Sequence, residues 1–195
     1  MTGQRLLVAS LAVLVIAGQS AAQDRSVGEQ IGDALLAAPS SMREGATVLG
    51  YGGSDRPGDA LSLLRERTGD LICLADDPSE DGFHVACYHR SLDPFMALGR
   101  TLRASGHDRS EVMAERYAAL TEGRLTMPDR AALYSVSAEQ TPSTGSDVLE
   151  GERRLVVVYV PGATGEELGL PTRPEGNAPW LMLPGTPWAH IMISR

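Results

Sequence analysis

The chain contains no lysine; arginine supplies all 17 basic residues among 195. That absence excludes a phosphate-binding loop of the GxxxxGK[ST] type, a Schiff-base lysine and a Ser–Lys dyad. Replacement of lysine by arginine throughout reads as the coding bias of a GC-rich genome. Asparagine occurs once, at Asn177, and phenylalanine twice, at Phe83 and Phe95. No HExxH and no His-x-His pair exists, so the zinc-enzyme signature is missing. No GxSxG elbow exists either, because Gly52-Gly53-Ser54 runs into Asp55-Arg56. Positive charge is outnumbered: 25 acidic residues leave a net charge of -8 and a pI near 5.0. Nucleic acid is excluded as a partner, since phosphate neutralisation needs a basic face. The rest of the composition, 43% hydrophobic and 22% charged, is that of an ordinary globular protein.

Long hydrophobic runs are scarce as well. One stands at the N-terminus, where Arg5 is followed by Leu6 to Ala17, apolar except for Ser10. It is short for a membrane span. Ser20-Ala21-Ala22 then sets small residues at the −3 and −1 positions. This order of charge, apolar run and small residues predicts a signal peptide over residues 1–22, with Gln23 as the mature N-terminus. No cysteine lies near the cleavage site, which excludes a lipid-anchored form, and no later stretch reaches membrane-spanning length. Cleavage removes Arg5 alone among the charges, taking −8 to −9 over 173 residues (195 − 22). The expected location is periplasmic or secreted, an oxidising compartment.

Ser26 and Glu29 form a capping box for a first helix carrying Val27, Ile31 and Leu35. Four short strands follow, near residues 46–51, 60–65, 71–75 and 83–89, joined by turn clusters into an antiparallel meander. Asp93-Pro94 opens a second helix with the stripe Phe95, Leu98, Leu102. Asp108 and Glu111 open a third, with Met113, Tyr117 and Leu120 as its apolar repeat. Strands return at 131–137 and 154–160. The second of these, Leu155-Val156-Val157-Val158-Tyr159-Val160, is apolar on both faces and reads as a central strand. Residues 161–187 hold six Pro and five Gly and predict an irregular excursion, with one helical turn at 164–168 and anchors at Trp180, Leu181 and Met182. A last strand spans 189–193. The expected fold is α+β: one domain over residues 23–195, an antiparallel sheet of N-terminal meander plus C-terminal strands, and two to four helices packed on it.

Several segments carry a resemblance. Ile72-Cys73-Leu74-Ala75-Asp76-Asp77-Pro78, Ala86-Cys87-Tyr88-His89, Leu92-Asp93-Pro94-Phe95-Met96 and Pro179-Trp180-Leu181-Met182 are four of them. Pro184-Gly185-Thr186 and Ala189-His190-Ile191-Met192-Ile193 complete the set. Together they resemble an uncharacterised family of bacterial exported proteins, over most of the chain from about Leu35 to Ile193. The resemblance implies a stand-alone exported domain and transfers no catalytic residue.

Cys73 and Cys87 are the first candidate pair. A hairpin folded about Glu80 sets them directly opposite each other, where Cβ atoms stand about 4.5–5.5 Å apart, closest in non-hydrogen-bonded pairs, while a disulfide needs about 3.5–4.5 Å. The alternatives are a reactive Cys87 beside His89, or two thiolate ligands. Asp76, Asp77, Glu80 and Asp81 crowd one loop; a hard cation such as Ca²⁺ suits such oxygens, but the calcium-loop spacing is absent and a solvated turn is favoured. Among the histidines, His84 lies on the fourth strand and His107 sits in a turn. Strand alternation sets Ala189, Ile191 and Ile193 toward the main core, and His190 with Met192 on the other face. His190, Met192 and Met182 are candidate ligands for copper, being soft thioether and imidazole donors. His89, His190, Trp180 and Trp188 are the candidate binding pocket.

The leading reading is an exported, disulfide-stapled domain that binds an unknown protein partner or small-molecule ligand in the cell envelope, with no cofactor. The alternatives are an envelope hydrolase using His190 or His89 as base, or a Met/His copper-type metal-binding protein.

Overall fold

A computed structural model describes residues 25–52, 61–143 and 149–194. The signal segment therefore lies outside the described residues, as does most of the turn cluster that follows Gly52. Among the described residues, four α-helices and eight strands build an α+β fold, as expected.

Helix α1 (Val27–Ala34) starts with the capping box, both halves of which are formed by Ser26 and Glu29. Strands β1 (Thr47–Gly50), β2 (Ser62–Arg65), β3 (Leu71–Leu74) and β4 (Phe83–His89) follow. Helices α2 (Asp93–Ala104) and α3 (Arg109–Thr121) come next, then β5 (Ala131–Ala138) and β6 (Arg153–Tyr159). The excursion contains α4 (Gly165–Leu168), capped by Thr164 and Glu167, and strand β7 (Trp180–Met182). Strand β8 (His190–Ser194) ends the sheet.

The strands form one sheet in the order β2-β1-β3-β4-β5-β6-β8-β7. Every pairing is antiparallel except β1 with β3, which is parallel. The N-terminal strands are therefore not a simple meander: β3 lies on the edge of β1 away from β2. The β2–β3 connection crosses the end of β1, where Gly69 N–H donates to Gly45 O at 3.0 Å. A Cβ on Gly69 would sit 2.5 Å from that oxygen, so only glycine allows the crossing. Thr47 Oγ1 fastens the same loop, donating to Arg67 O at 2.8 Å. The swap suits burial: Val48 of β1 is fully buried, whereas Leu63 of β2 is 55% exposed at the sheet edge.

Alternation splits the sheet into two cores. Cys73, Val85, Cys87 and Val136 face α1 together with Leu36 and Val48. Ile72, Tyr88, Val157 and Tyr159 face the other way, onto Phe95, Leu120 and Trp188. Strand β6 is central, between β5 and β8, as its double apolar pattern implied. Helix α3 departs from expectation. Its buried face is Val112, Ala119 and Leu120, while Met113 and Tyr117 are exposed. The inward stripe runs through Arg116 instead of Tyr117, because the long arginine lies over the Phe95 ring, 4.5 Å from its centroid.

Candidate functional site

Strands β3 and β4 pair with Cys73 opposite Cys87, and the two are joined by a disulfide. Their Cα atoms stand 4.0 Å apart, and both residues are fully buried beneath α1. Neither sulfur is thus free as nucleophile or ligand. The acidic loop beyond them closes on itself: Asp77 Oδ1 accepts from Ser79 N at 2.9 Å and from Ser79 Oγ at 2.6 Å. Asp76 Oδ1 accepts from His84 N at 2.7 Å. Burial pushes the Asp76 carboxyl up to about 6. No group of three His, Cys, Asp or Glu side chains suited to a metal occurs among the described residues.

The histidines separate. His107 is exposed, its Nδ1 3.1 Å from Leu102 O. His89 ends β4 with Nδ1 2.7 Å from Ser91 Oγ. It lies on the α1 side, three strand spacings or about 14 Å from β8, so His89 and His190 do not share a pocket. His190 is 7% exposed, and the expected facing of β8 is reversed. His190 and Met192 point to the core under α2 and α3, while Ile191 and Ile193 lie half-buried on the opposite face. The physical reason is aromatic packing. Phe95 meets Trp188 edge-on at 4.8 Å and Tyr159 at 6.2 Å, and the imidazole of His190 lies 5.3 Å from the Tyr159 ring.

His190 Nδ1 lies 2.7 Å from Trp188 O, a carbonyl that can only accept. The ring is thus the Nδ1–H tautomer, with a lone pair on Nε2. That nitrogen has no hydrogen-bond partner among the described residues. Burial lowers the His190 pKa, against the pull of the Trp188 carbonyl. Around it, the β7–β8 register sets Met182 opposite His190 and Trp180 opposite Met192. All four therefore share one face, flanked on β6 by Tyr159 and Val157. Burial pushes the Tyr159 phenol up, against Arg116 and the nearby Trp188 N–H. By geometric criteria Trp188 Nε1 is buried and unpartnered. Leu183, next to Met182, holds a left-handed backbone with φ 54°, a strained state for a leucine.

Three of the four expected pocket residues, His190, Trp180 and Trp188, thus lie on the helix-side face, and His89 does not. Tyr159, Phe95 and Arg116 escaped the sequence reading. The apolar stripe of α2 pointed to Phe95 and the alternation of Val157 with Tyr159 to Tyr159, each as core and not as site; nothing pointed to Arg116. Among the described residues, His89 Nδ1 meets Ser91 Oγ and His190 Nδ1 meets Trp188 O, and neither imidazole pairs with a carboxylate. Two open depressions lie elsewhere. One of about 460 Å³ runs from Gly165 to Glu175 along the excursion, and one of about 500 Å³ lies between α2 and α3 by Leu98 and His107. No helix among the described residues is long and apolar enough to cross a membrane. Comparison with known proteins finds no matching family model, no similar curated protein and no similar solved structure.

Proposed function

We propose that the chain is an exported binding domain of the bacterial cell envelope. The helix-side face of β6, β8 and β7 is its ligand site, and the Pro/Gly-rich excursion forms the site's rim. The observation that carries this reading is Trp188 Nε1, buried without a hydrogen-bond partner, close to His190, whose Nε2 also takes none among the described residues. A buried donor or acceptor left unpaired costs about 1–3 kcal/mol, and a ligand that meets it recovers that energy. The strained Leu183 beside them is a further sign of a site held for use. The disulfide fits an oxidising compartment, and the N-terminal order of charge, apolar run and small residues fits export.

Two measurements test this. Mass spectrometry of envelope fractions from the native host is expected to find a mature chain beginning at Gln23; a chain retaining Met1 in the cytoplasm removes the export reading. Nuclear magnetic resonance with ¹⁵N-labelled indoles, titrated with metal ions and small envelope metabolites, is expected to shift the Trp180 and Trp188 signals together. Indole signals that stay unchanged with every ligand tested would remove this face as the ligand site.

A further inference from the structure

The β7–β8 ladder sets two thioethers, an imidazole and an indole at the corners of a square. Directly opposed residues, here Met182 with His190 and Trp180 with Met192, have Cβ atoms about 4.5–5.5 Å apart. Diagonal neighbours such as Met182 and Met192 stand about 7–8 Å apart, a span two unbranched thioether chains close easily. His190 is the fixed corner: its Nδ1–H is tied to Trp188 O, its ring lies against Tyr159, and its Nε2 is unpartnered. A ligand imidazole whose other nitrogen donates to a backbone carbonyl is the arrangement that orients metal-binding histidines.

We propose that Met182, Met192 and His190 Nε2 form a binding site for a soft monovalent cation, Cu(I), with the Trp180 ring as its aromatic wall. The inference rests on the reading of this face as a ligand site and names the ligand class. The donor set decides the metal. Thioether sulfurs and a neutral imidazole are soft, uncharged ligands, which select Cu(I) over Zn²⁺, Ca²⁺ or Mg²⁺. No carboxylate or thiolate joins the square, and the only two cysteines are locked in the disulfide. A desolvated dication would stay uncompensated here, whereas a single charge is met by the face of an indole. The absence of free thiols also suits copper handling in an oxidising compartment, where thioethers bind without forming disulfides.

The test is an anaerobic titration of the full exported chain with Cu(I) held by the competing chelator bicinchoninate, repeated with Ag(I) as a redox-silent probe. One equivalent per chain is expected, with quenching of tryptophan fluorescence and an X-ray absorption spectrum showing two sulfurs and one nitrogen around copper. Met182→Leu and Met192→Leu keep volume and apolarity, so both should fold with an unchanged unfolding temperature yet bind at least about tenfold more weakly. Met113→Leu, on the exposed face of α3, should bind as the parent does. Failure of the parent to hold Cu(I) against the chelator, or unchanged binding by both leucine variants, overturns the inference. If Cu(I) fails while an organic ligand still shifts the Trp180 and Trp188 indole signals, this inference falls and the ligand-binding reading stands. If both fail, both fall.

Discussion

Arginine in this protein works mainly on backbone carbonyls. Arg65 donates to Arg43 O and Ala46 O, Arg90 to Gly69 O and Arg67 O, Arg154 to Leu36 O, and Arg43 to Ala38 O. Arg116 donates to Phe95 O at 3.1 Å and Met96 O at 3.2 Å while its plane covers the Phe95 ring. A rigid fork bridges two carbonyls and stacks at once; an ammonium does not. Arg116→Lys is therefore expected to lose about 1–2 kcal/mol despite keeping the charge, measured by urea unfolding. A loss as small as that of a surface substitution would show that the fork is incidental. Asp76 gives a second test at this scale. Its folded pKa of about 6 lies above the ordinary 3.8, because burial disfavours the carboxylate. The folded state holds this proton more tightly than the unfolded chain. The resulting stabilisation is complete below pH 3.8 and is lost as pH rises through about 6. Asp76→Asn keeps an oxygen acceptor for His84 N–H and removes the titration. It should flatten the unfolding temperature between pH 4 and 6.5 and stabilise the protein at pH 7.5. The gain is on the order of 1 kcal/mol after discounting for solvent screening. An unchanged slope would mean that Asp76 titrates alike in both states.

Among the elements, the β3–β4 hairpin carries the plainest energetic consequence. The disulfide joins residues 14 apart in sequence, closing a short loop. In the chain-entropy model such a closure is worth roughly 3 kcal/mol. Replacing both Cys73 and Cys87 by serine should cost at least that, because two hydroxyls then enter the fully buried core under α1. Chemical denaturation of oxidised, reduced and doubly substituted protein separates the two contributions. Equal stability of the oxidised and reduced forms would refute the staple. This hairpin was legible from sequence because it is local: two strands, a polar loop and a register fixed by symmetry about Glu80. The capping boxes at Ser26 and Asp108 were legible for the same reason. The parallel pairing of β1 with β3 was not, since a contact between Gly45 and Gly69 decides it. Strand β7 was hidden because three residues inside a Pro/Gly-rich run show no periodicity. Without β7, the Met182–His190 pairing at the centre of the candidate site could not be seen. The facing of β8 was misjudged because alternation groups Ile191 with Ile193 but does not say which side of a two-faced sheet holds the aromatic residues.

At the scale of the whole molecule, the question is whether two cores behave as one. The α1 side holds the disulfide, aliphatic residues and Phe83, and the α2–α3 side holds Phe95, Tyr88, Tyr159 and Trp188. They share the sheet itself, and adjacent residues serve opposite cores: Cys87 belongs to the first and Tyr88 to the second. Strand β4 pairs with β3 and β5, and β5 pairs with β6, so neither core opens without breaking ladders of the other. The protein should therefore unfold as a single cooperative unit. The buried Trp188 lies in the second core, so tryptophan fluorescence reports mainly on that side, while far-ultraviolet circular dichroism reports on all helices and strands. The two transitions are expected to coincide in urea. Reduction of Cys73–Cys87, a bond in the first core, should lower the fluorescence midpoint of the second core by the same amount as the dichroism midpoint. A fluorescence midpoint that ignores reduction while the dichroism becomes biphasic would show two independently folding halves.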